Sequence, residues 1–177
     1  MAEPLVPTLE TARLRLRGHG MADFAASAAL WADANVTRYI AAKPLTEEEV
    51  WSRLLRYAGH WQLLGFGFWV VEEKASGQFA GEMGFADYRR EIVPSLNGQP
   101  ELGYVLATPF HGRGYALEAL RAIIAWGDER FQKARTVCLI NPENAISRRV
   151  AEKCGYTEFQ CSHYKGRQTL IMERVPK

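Results

Sequence analysis

Hydrophobic and polar positions along the chain follow two different periods, which together predict a mixed α/β fold. Arg13 to Arg17 (RLRLR) alternates charged and apolar residues, as in a strand with one solvated face. Phe66 to Glu72 is aromatic and β-branched, and Gln78 to Tyr88 follows it after a turn signal at Ala75-Ser76-Gly77. We expect these two segments to form a hairpin of long strands.

Helical signals occur in four segments. The second has the clearest start, because Thr46 and Glu49 fit a capping box while Leu45 and Val50 fit a hydrophobic staple. The fourth ends at Gly155, a residue type common just after a helix. The expected helices cover residues 21–33, 46 to about 60, a stretch beginning near 115, and 145–154.

Four further strands are expected at 101–107, 136–140, 157–160 and 169–173. Antiparallel hairpins would then precede a single β-α-β-like segment, which differs from the strict alternation of a doubly wound fold. The chain has 177 residues, with no internal repeat, low-complexity tract or linker. We therefore expect residues 1–177 to form a single domain with one sizeable core.

Composition and charge narrow the functional classes. Lys and Arg number 22 against 20 acidic residues, and a net charge of +2 gives no field that would favour nucleic acid. No apolar run approaches a membrane span, and the first ten residues lack the apolar core of a signal peptide, so we expect a cytoplasmic protein without membrane contact. The three cysteines form no C-x-x-C pair and the histidines lack ligand spacing, so no metal is expected.

The most informative segment runs from Pro109 to Ala116 (PFHGRGYA), between a predicted strand and a predicted helix. Gly112 and Gly114 let the backbone bend so that its N–H groups converge, and the helix start adds unpaired donors and a positive dipole end. Such a concavity suits a pyrophosphate, and Arg113 would add a compensating charge. A dinucleotide fingerprint would need Gly or Ala at Leu117, and a P-loop ending is absent. In isolation, the same glycines fit an ordinary turn into a helix.

A second motif lies about thirty residues later, where Asn141 to Ser147 (NPENAIS) continues into Arg148 to Tyr156 (RRVAEKCGY). With both motifs in this order, the chain resembles the GCN5-related N-acetyltransferase (GNAT) superfamily. It is most similar to the branch of RimJ/RimL-type ribosomal-protein N-terminal acetyltransferases. The Arg13-Leu14-Arg15-Leu16 start and the hairpin from Gly77 to Glu82 also fit this branch, so the resemblance covers nearly the whole chain.

The resemblance implies a mostly antiparallel central sheet of about six to seven strands, flanked by about four helices. Its splayed central strands would form a cleft for acetyl-coenzyme A, the implied co-substrate. The segment 101–119 would hold coenzyme A, and 144–156 would pack beside its pantetheine arm. The implied coenzyme A contacts are Tyr104, Val105, Leu106, His111, Gly112, Arg113, Gly114, Tyr115, Ala116, Asn144 and Ser147.

The chain departs from the family pattern at two positions. His111 stands where the pyrophosphate loop usually opens with Gln or Arg, but backbone donors do most of the binding there, so we expect binding to survive. Many relatives carry a Tyr in the last helix that protonates the leaving thiolate, and this chain has Ala151 at that position. The resemblance assigns that role to Ser147. Asn144 fits an N-cap or a side-chain contact to coenzyme A, and the two roles are compatible.

The implied reaction is direct attack of an amine on the acetyl thioester. Because amines titrate at about 7.7–8.0 (α-amine) or 10.4 (lysine), a group must accept a proton before or during attack. Glu101 and Glu82 are the candidate bases, acting directly or through water; each is otherwise a solvated or ion-paired strand residue. By resemblance, a backbone N–H within Tyr104 to Leu106 would stabilise the thioester oxygen.

Several questions about partners stay open at this stage. The acceptor amine is either a protein N-terminus or a small molecule, and we expect it beside the first two helices and the loop Arg89 to Pro100. Alternatives are a different acyl donor or acceptor, such as an antibiotic or an amino acid, and a non-catalytic acyl-CoA-binding regulator. A monomer and a homodimer are both compatible with the sequence.

Overall fold

The computed structural model describes residues 5–41 and 43–176 and has a mixed α/β architecture. The described residues form five α-helices and eight strands. The helices are α1 (Phe24–Ala32), α2 (Ala34–Thr37), α3 (Glu47–Leu64), α4 (Tyr115–Arg130) and α5 (Ala145–Lys153). The strands are β1 (Leu9–Glu10), β2 (Leu14–Arg17), β3 (Phe68–Glu73), β4 (Phe79–Ala86), β5 (Glu101–Leu106), β6 (Thr136–Ile140), β7 (Thr157–Tyr164) and β8 (Arg167–Arg174).

One sheet contains all eight strands in the order β1-β2-β3-β4-β5-β6-β8-β7. Its neighbouring strands are antiparallel except for β5 and β6, which are parallel. β5 pairs with β4 along its whole length, from Glu101 opposite Ala86 to Leu106 opposite Gly81. With β6 it pairs only at Glu101, opposite Val137. The two central strands therefore separate beyond Glu101, which confirms the expected splayed, mostly antiparallel sheet.

Helices cover both faces of this sheet. The side chains of α4 pack with Leu14, Met83 and Phe85 in the main core, while Leu30 and Val50 form a smaller core on the other face. The capping box at the start of α3 is confirmed: Thr46 N–H donates to Glu49 Oε2 at 2.8 Å, and Glu49 N–H donates to Thr46 Oγ1 at 3.2 Å. Such a cap contributes about 1 kcal/mol, and it fixes where α3 begins beside β3 and β4.

The expected helices and strands are present, but the total is slightly higher than predicted from the sequence. β1 has two residues and α2 has four, which is too short for either to show a hydrophobic period. α2 starts because the Asp33 side chain accepts a hydrogen bond from Asn35 N–H, an N-cap that the sequence pattern did not reveal. β7 and β8 are longer than expected, because β7 is mostly exposed and lacks the alternation that marks a half-buried strand.

Candidate active site

The separation of β5 from β6 opens a cavity of about 580 Å³ between them. Its walls include Glu101, Tyr104 and Val105 from β5, and Asn144 and Ser147 from the start of α5. These are five of the residues singled out from the sequence. Leu106 and the loop 111–116 follow along the chain beyond this wall. The second motif therefore contributes to the cavity wall, and the first motif follows β5, the strand that forms part of that wall.

Backbone donors of β5 face the opening. Ala107 N–H donates to Ala80 O on the β4 side at 2.8 Å. Because successive N–H groups of a strand point to opposite sides, those of Tyr104 and Leu106 point toward β6. β6 does not pair with β5 at these positions, so their donors remain directed into the gap. Of the three backbone N–H groups expected to stabilise an oxyanion, those of Tyr104 and Leu106 are suitably directed, while the N–H of Val105 points toward β4.

The loop after β5 has the geometry of an anion site. Gly112 and Gly114 have φ values of 74° and 78°, a left-handed conformation that favours glycine. Gly114 is the N-cap of α4, and the first helical bond is Glu118 N–H to Gly114 O at 3.1 Å. The N–H groups of residues 115–117 precede that bond, so the helix itself provides them no acceptor. Together with the positive end of the 16-residue helix, these donors suit an anion such as a pyrophosphate.

Side-chain contacts hold the loop 111–116 in place. His111 Nε2 lies 2.8 Å from Leu106 O, so this ring closes the loop onto the end of β5. Tyr115 Oη donates to Glu73 Oε1 at 2.5 Å, and Arg113 Nη1 lies 3.3 Å from the same oxygen. These contacts tie the loop to β3, leaving the backbone N–H groups as its ligand-facing donors.

Asn144 and Ser147 stand at the start of α5, and the predicted N-cap is confirmed. Asn144 Oδ1 accepts a hydrogen bond from Ser147 N–H at 3.1 Å. Tyr104 Oη donates to Ser147 O at 2.8 Å and lies 2.8 Å from Ser147 Oγ. Since a phenol has one proton, Ser147 Oγ is the donor in the second bond. Burial raises the pKa of Tyr104, although its bond to Ser147 acts in the opposite direction, so the phenol is protonated at neutral pH.

The phenol of Tyr104 is a site feature that sequence reasoning missed. The resemblance directed attention to the backbone of β5 and to the missing tyrosine of the last helix at Ala151. The alternating pattern of β5 carries no signal that Tyr104 meets a residue 43 positions later. The structure thus places a tyrosine hydroxyl beside Ser147 from a different element.

Glu101 lines the cavity and is paired with Arg90. Arg90 Nε and Nη2 donate to the two carboxylate oxygens of Glu101 at 2.7 Å each. Burial opposes the charge on Arg90, but the pairing outweighs it and raises the pKa of the guanidinium. A carboxylate has about four lone-pair positions, so the bidentate bond leaves acceptor capacity on Glu101.

Glu82 lies on β4, fully buried, and does not reach the cavity wall. Ser27 Oγ donates to it at 2.5 Å, Trp31 Nε1 at 2.8 Å and Tyr57 Oη at 3.2 Å. Burial opposes its ionisation, but the neighbouring His19, Ser27 and Trp31 side chains outweigh this cost and hold the pKa of Glu82 below its ordinary value. The structure therefore separates the two candidate bases: Glu101 faces the cleft and Glu82 joins α1 and α3 to the sheet.

The part of the chain that the structure describes has neither a membrane-spanning helix nor a metal-binding cluster. None of its helices is long and apolar enough to cross a membrane. Within the same residues no group of three or more His, Cys, Asp or Glu side chains is placed to hold a metal ion. Cys138 is on the cavity wall, but burial raises the pKa of its thiol, so it is not a thiolate nucleophile.

Fold and cleft are those of an acetyltransferase. A family model described as an acetyltransferase (GNAT) domain matches residues 13–157, and the chain belongs to this family of enzymes. A putative GNAT-family acetyltransferase from Bordetella pertussis superimposes with a TM-score of 0.84 at 32% identity, covering 95% of this chain and 99% of that one.

The RimL ribosomal L7/L12 α-N-protein acetyltransferase, in complex with coenzyme A, has a TM-score of 0.77 at 18% identity. The match covers 96% of this chain and 98% of RimL. At this identity the likeness shows a common fold. The family resemblance inferred from the two motifs is confirmed by the family model over residues 13–157.

Two curated relatives extend the comparison. YkkB of Bacillus subtilis, an uncharacterised protein, is 37% identical over 91 residues, which are 51% of each chain. The FsC-acetyl coenzyme A-N(2)-transacetylase of Aspergillus fumigatus is 32% identical over 162 residues, covering 87% of this chain and 66% of the relative. The matched region thus spans about half of YkkB and two thirds of the Aspergillus enzyme.

Proposed function

We propose that this chain transfers an acetyl group from acetyl-coenzyme A to a primary amine, either a protein N-terminal α-amine or a small-molecule amine. The observation that carries the proposal is that β5 separates from β6 beyond Glu101. The resulting cavity is lined by the Glu101 carboxylate, and β5 leads into the loop 111–116, which suits an anion. The loop 111–116 and the N–H groups of residues 115–117 would bind the pyrophosphate. The bound co-substrate would supply the activated acetyl thioester.

Three groups of this chain would handle the proton and the charge. Glu101 would accept the proton from the attacking amine, directly or through water. The N–H groups of Tyr104 and Leu106 would donate to the developing oxyanion. Ser147, hydrogen-bonded to Tyr104, would provide the proton that the leaving sulfur takes up. The new N–C bond thus replaces the C–S bond, and one proton moves from the amine to the enzyme while another reaches the thiol.

We prefer Glu101 to Glu82 as the general base because of where each side chain lies. Glu101 is on the cavity wall, whereas Glu82 is fully buried among three hydrogen-bond donors. We propose that Glu82 fixes the two helices over the sheet. Its carboxylate would then set the shape of the acceptor side without contacting the amine.

Acetyl transfer is tested by incubating the protein with acetyl-coenzyme A and a panel of amines that includes short peptides with free N-termini. Free thiol release and the mass of the acceptor are measured together. One acetyl group gained per thiol released supports the proposal. Turnover only with a different acyl-CoA favours another acyltransferase of the same fold. Tight acyl-CoA binding without turnover on any amine favours a non-catalytic regulator.

We also propose that the protein acts in the cytoplasm as a single domain, as a monomer or homodimer, within the RimJ/RimL-type branch. The support for this branch is the pair of sequence motifs together with the RimL-like fold. Light scattering measures the mass in solution, and fractionation of cells that express the chain measures its location.

A further inference from the structure

The acceptor side of the cavity has a concentration of positive charge. Six basic and two acidic side chains line the cavity. The chain as a whole has a net charge of only +2, so this wall is far more basic than the average surface. The basic residues come from α3, from the segments before α3 and after β4, and from the turn into β8 together with the first residue of β8; none belongs to the loop 111–116. The basic residues are Lys43, Arg53, Arg56, Arg90, Lys165 and Arg167, and the acidic ones are Glu49 and Glu101.

Within the part of the chain that the structure describes, carboxylates pair with two of these six cations. Arg90 has a bidentate pair with Glu101, and Lys43 Nζ lies 3.7 Å from Glu49. The other four have no carboxylate oxygen within 4.0 Å in the ranges 5–41 and 43–176; they are Arg53, Arg56, Lys165 and Arg167. A cavity that keeps such cations without a matching anion is suited to a ligand that brings one.

Arg53 is the most strongly positioned of the four. Its guanidinium carbon lies 3.9 Å from the centroid of the Trp31 ring, and Nη1 lies 3.4 Å from Tyr57 Oη. Its Nε is buried and has no hydrogen-bond acceptor within the described residues. The nearest route to a carboxylate runs through Tyr57, whose hydroxyl bonds Glu82. The contact with the Trp31 ring therefore positions the guanidinium at the cavity wall, while its Nε donor stays without an acceptor in the described residues.

The other cations surround this position. Arg56, one helical turn after Arg53 on α3, stacks over Tyr88 at 5.2 Å. Arg167 begins β8, and its Nη2 lies 3.5 Å from the carbonyl oxygen of Arg38. Lys165 lies 5.6 Å from the ring of Tyr164 in the turn before β8. Cations from α3 and from the start of β8 thus line the same cavity as Glu101.

We infer that the acceptor is a primary amine that also carries an anionic group, a carboxylate or a phosphate, and that Arg53 binds this group in the cavity. The inference rests on the proposed function. Arg56, Lys165 and Arg167 favour the same charge at longer range. Glu101 receives the cationic end of the acceptor, so one cavity holds the two opposite charges of a zwitterion. A polyamine or a lysine-like cation would instead meet a wall of its own charge.

The test compares amines that differ in one charge. The pairs are 4-aminobutyrate and 4-aminobutanamide, O-phosphoethanolamine and ethanolamine, and short peptides with Asp or Asn after a common N-terminal residue. Thiol release from acetyl-coenzyme A gives kcat/KM for each. We expect the anionic member of at least one pair to be preferred by about tenfold or more, since charge-assisted hydrogen bonds are the strong ones. The preferred pair identifies the carboxylate, phosphate or peptide source.

Arg53→Met should reduce that preference by about tenfold or more, toward a ratio of one, with the KM for acetyl-coenzyme A unchanged. Arg53→Lys, which keeps the charge but loses the fork, should retain part of it. Arg121→Met, at an exposed arginine outside the cavity wall, is the matched control and should leave the ratio as in the wild type. Equal kcat/KM within every pair, or a ratio unchanged by Arg53→Met, overturns the inference.

Failure of the proposed function has a different signature. It would show as no thiol release with any amine and no stabilisation by acetyl-coenzyme A. Anion binding is then measured from thermal unfolding alone. The anionic amines should stabilise the wild type and not Arg53→Met, and equal shifts in the two proteins would overturn the inference.

Discussion

The hydroxyl of Tyr104 lies 2.8 Å from both the Oγ and the carbonyl oxygen of Ser147, and this contact joins β5 to the first turn of α5 at the cleft. Asn144 fixes the other side of Ser147 by capping the helix. Ser147 is thus held by contacts from two elements. A group that delivers a proton at one position needs such fixed placement.

The Tyr104–Ser147 pair should behave as one unit in catalysis. We expect Ser147→Ala to lower kcat about 100-fold, within the usual range for loss of an acid or base, and Tyr104→Phe to lower it by about tenfold. The double variant should be little worse than Ser147→Ala, because both changes remove the same hydrogen bond. Initial rates at saturating acetyl-coenzyme A measure this. Strictly additive losses, in free energy, would show that the two residues act separately.

Glu101→Gln should lower kcat by roughly 100-fold or more, because the amide cannot accept the proton of the amine. The change also leaves Arg90 without its charged partner, so thermal unfolding must accompany the kinetics. The rate of the variant should rise with pH in step with the free amine, since deprotonation then depends on solvent. A folded Glu101→Gln protein with the wild-type rate and pH profile would exclude Glu101 as the base.

Glu82→Gln should act mainly on stability. It loses charge-assisted hydrogen bonds in a fully buried site, which corresponds to about 2–3 kcal/mol in the free energy of unfolding. The folded-state pKa of Glu82 lies below its ordinary value, so its stabilisation is present above the unfolded pKa of about 4.3 and lost as pH falls through the folded pKa. Denaturant unfolding should therefore show a wild-type advantage at pH 7 that shrinks below about pH 4. An equal difference at both pH values would contradict this.

Gly112→Ala tests the anion loop against a matched glycine. Gly112 and Gly98 both have positive φ, 74° and 79°, and a Cβ added at either meets no atom within 4 Å. The strain of alanine is then similar, about 1–2 kcal/mol, and both variants should lose comparable thermal stability. Only Gly112→Ala should weaken acetyl-coenzyme A binding, by about tenfold, measured by calorimetry. Equal affinity in the two variants would remove the loop from the binding site.

Much of the fold follows from local patterns in the sequence. The capping box at Thr46 and Glu49 and the strand Thr136–Ile140 are visible there, because a cap and a short apolar run are local features. β1 and α2 are too short for a period. The position where β5 leaves β6 depends on pairing between distant segments, and only the family resemblance anticipated it.

The site was predictable only in part. The backbone conformation of the loop 111–116 follows from two glycines before a helix, and these glycines can be recognised in the sequence. Side-chain pairings are not, because they join residues far apart in the chain. The Arg90–Glu101 pair depends on the path of the loop between β4 and β5. The burial of Glu82 and the stacking of Arg53 on Trp31 depend on how α1 and α3 pack over the sheet.

Binding of acetyl-coenzyme A to the cleft is the central claim, and thermal unfolding tests it most directly. The melting temperature is measured with acetyl-coenzyme A, NAD or ATP at the same concentration. A ligand at about one hundred times its Kd adds roughly 2.7 kcal/mol, which raises the melting temperature of a domain this size by about 5–10 °C. We predict a shift of that order with acetyl-coenzyme A and a much smaller one with NAD or ATP. No selective shift, in a sample that unfolds cooperatively, would contradict the account.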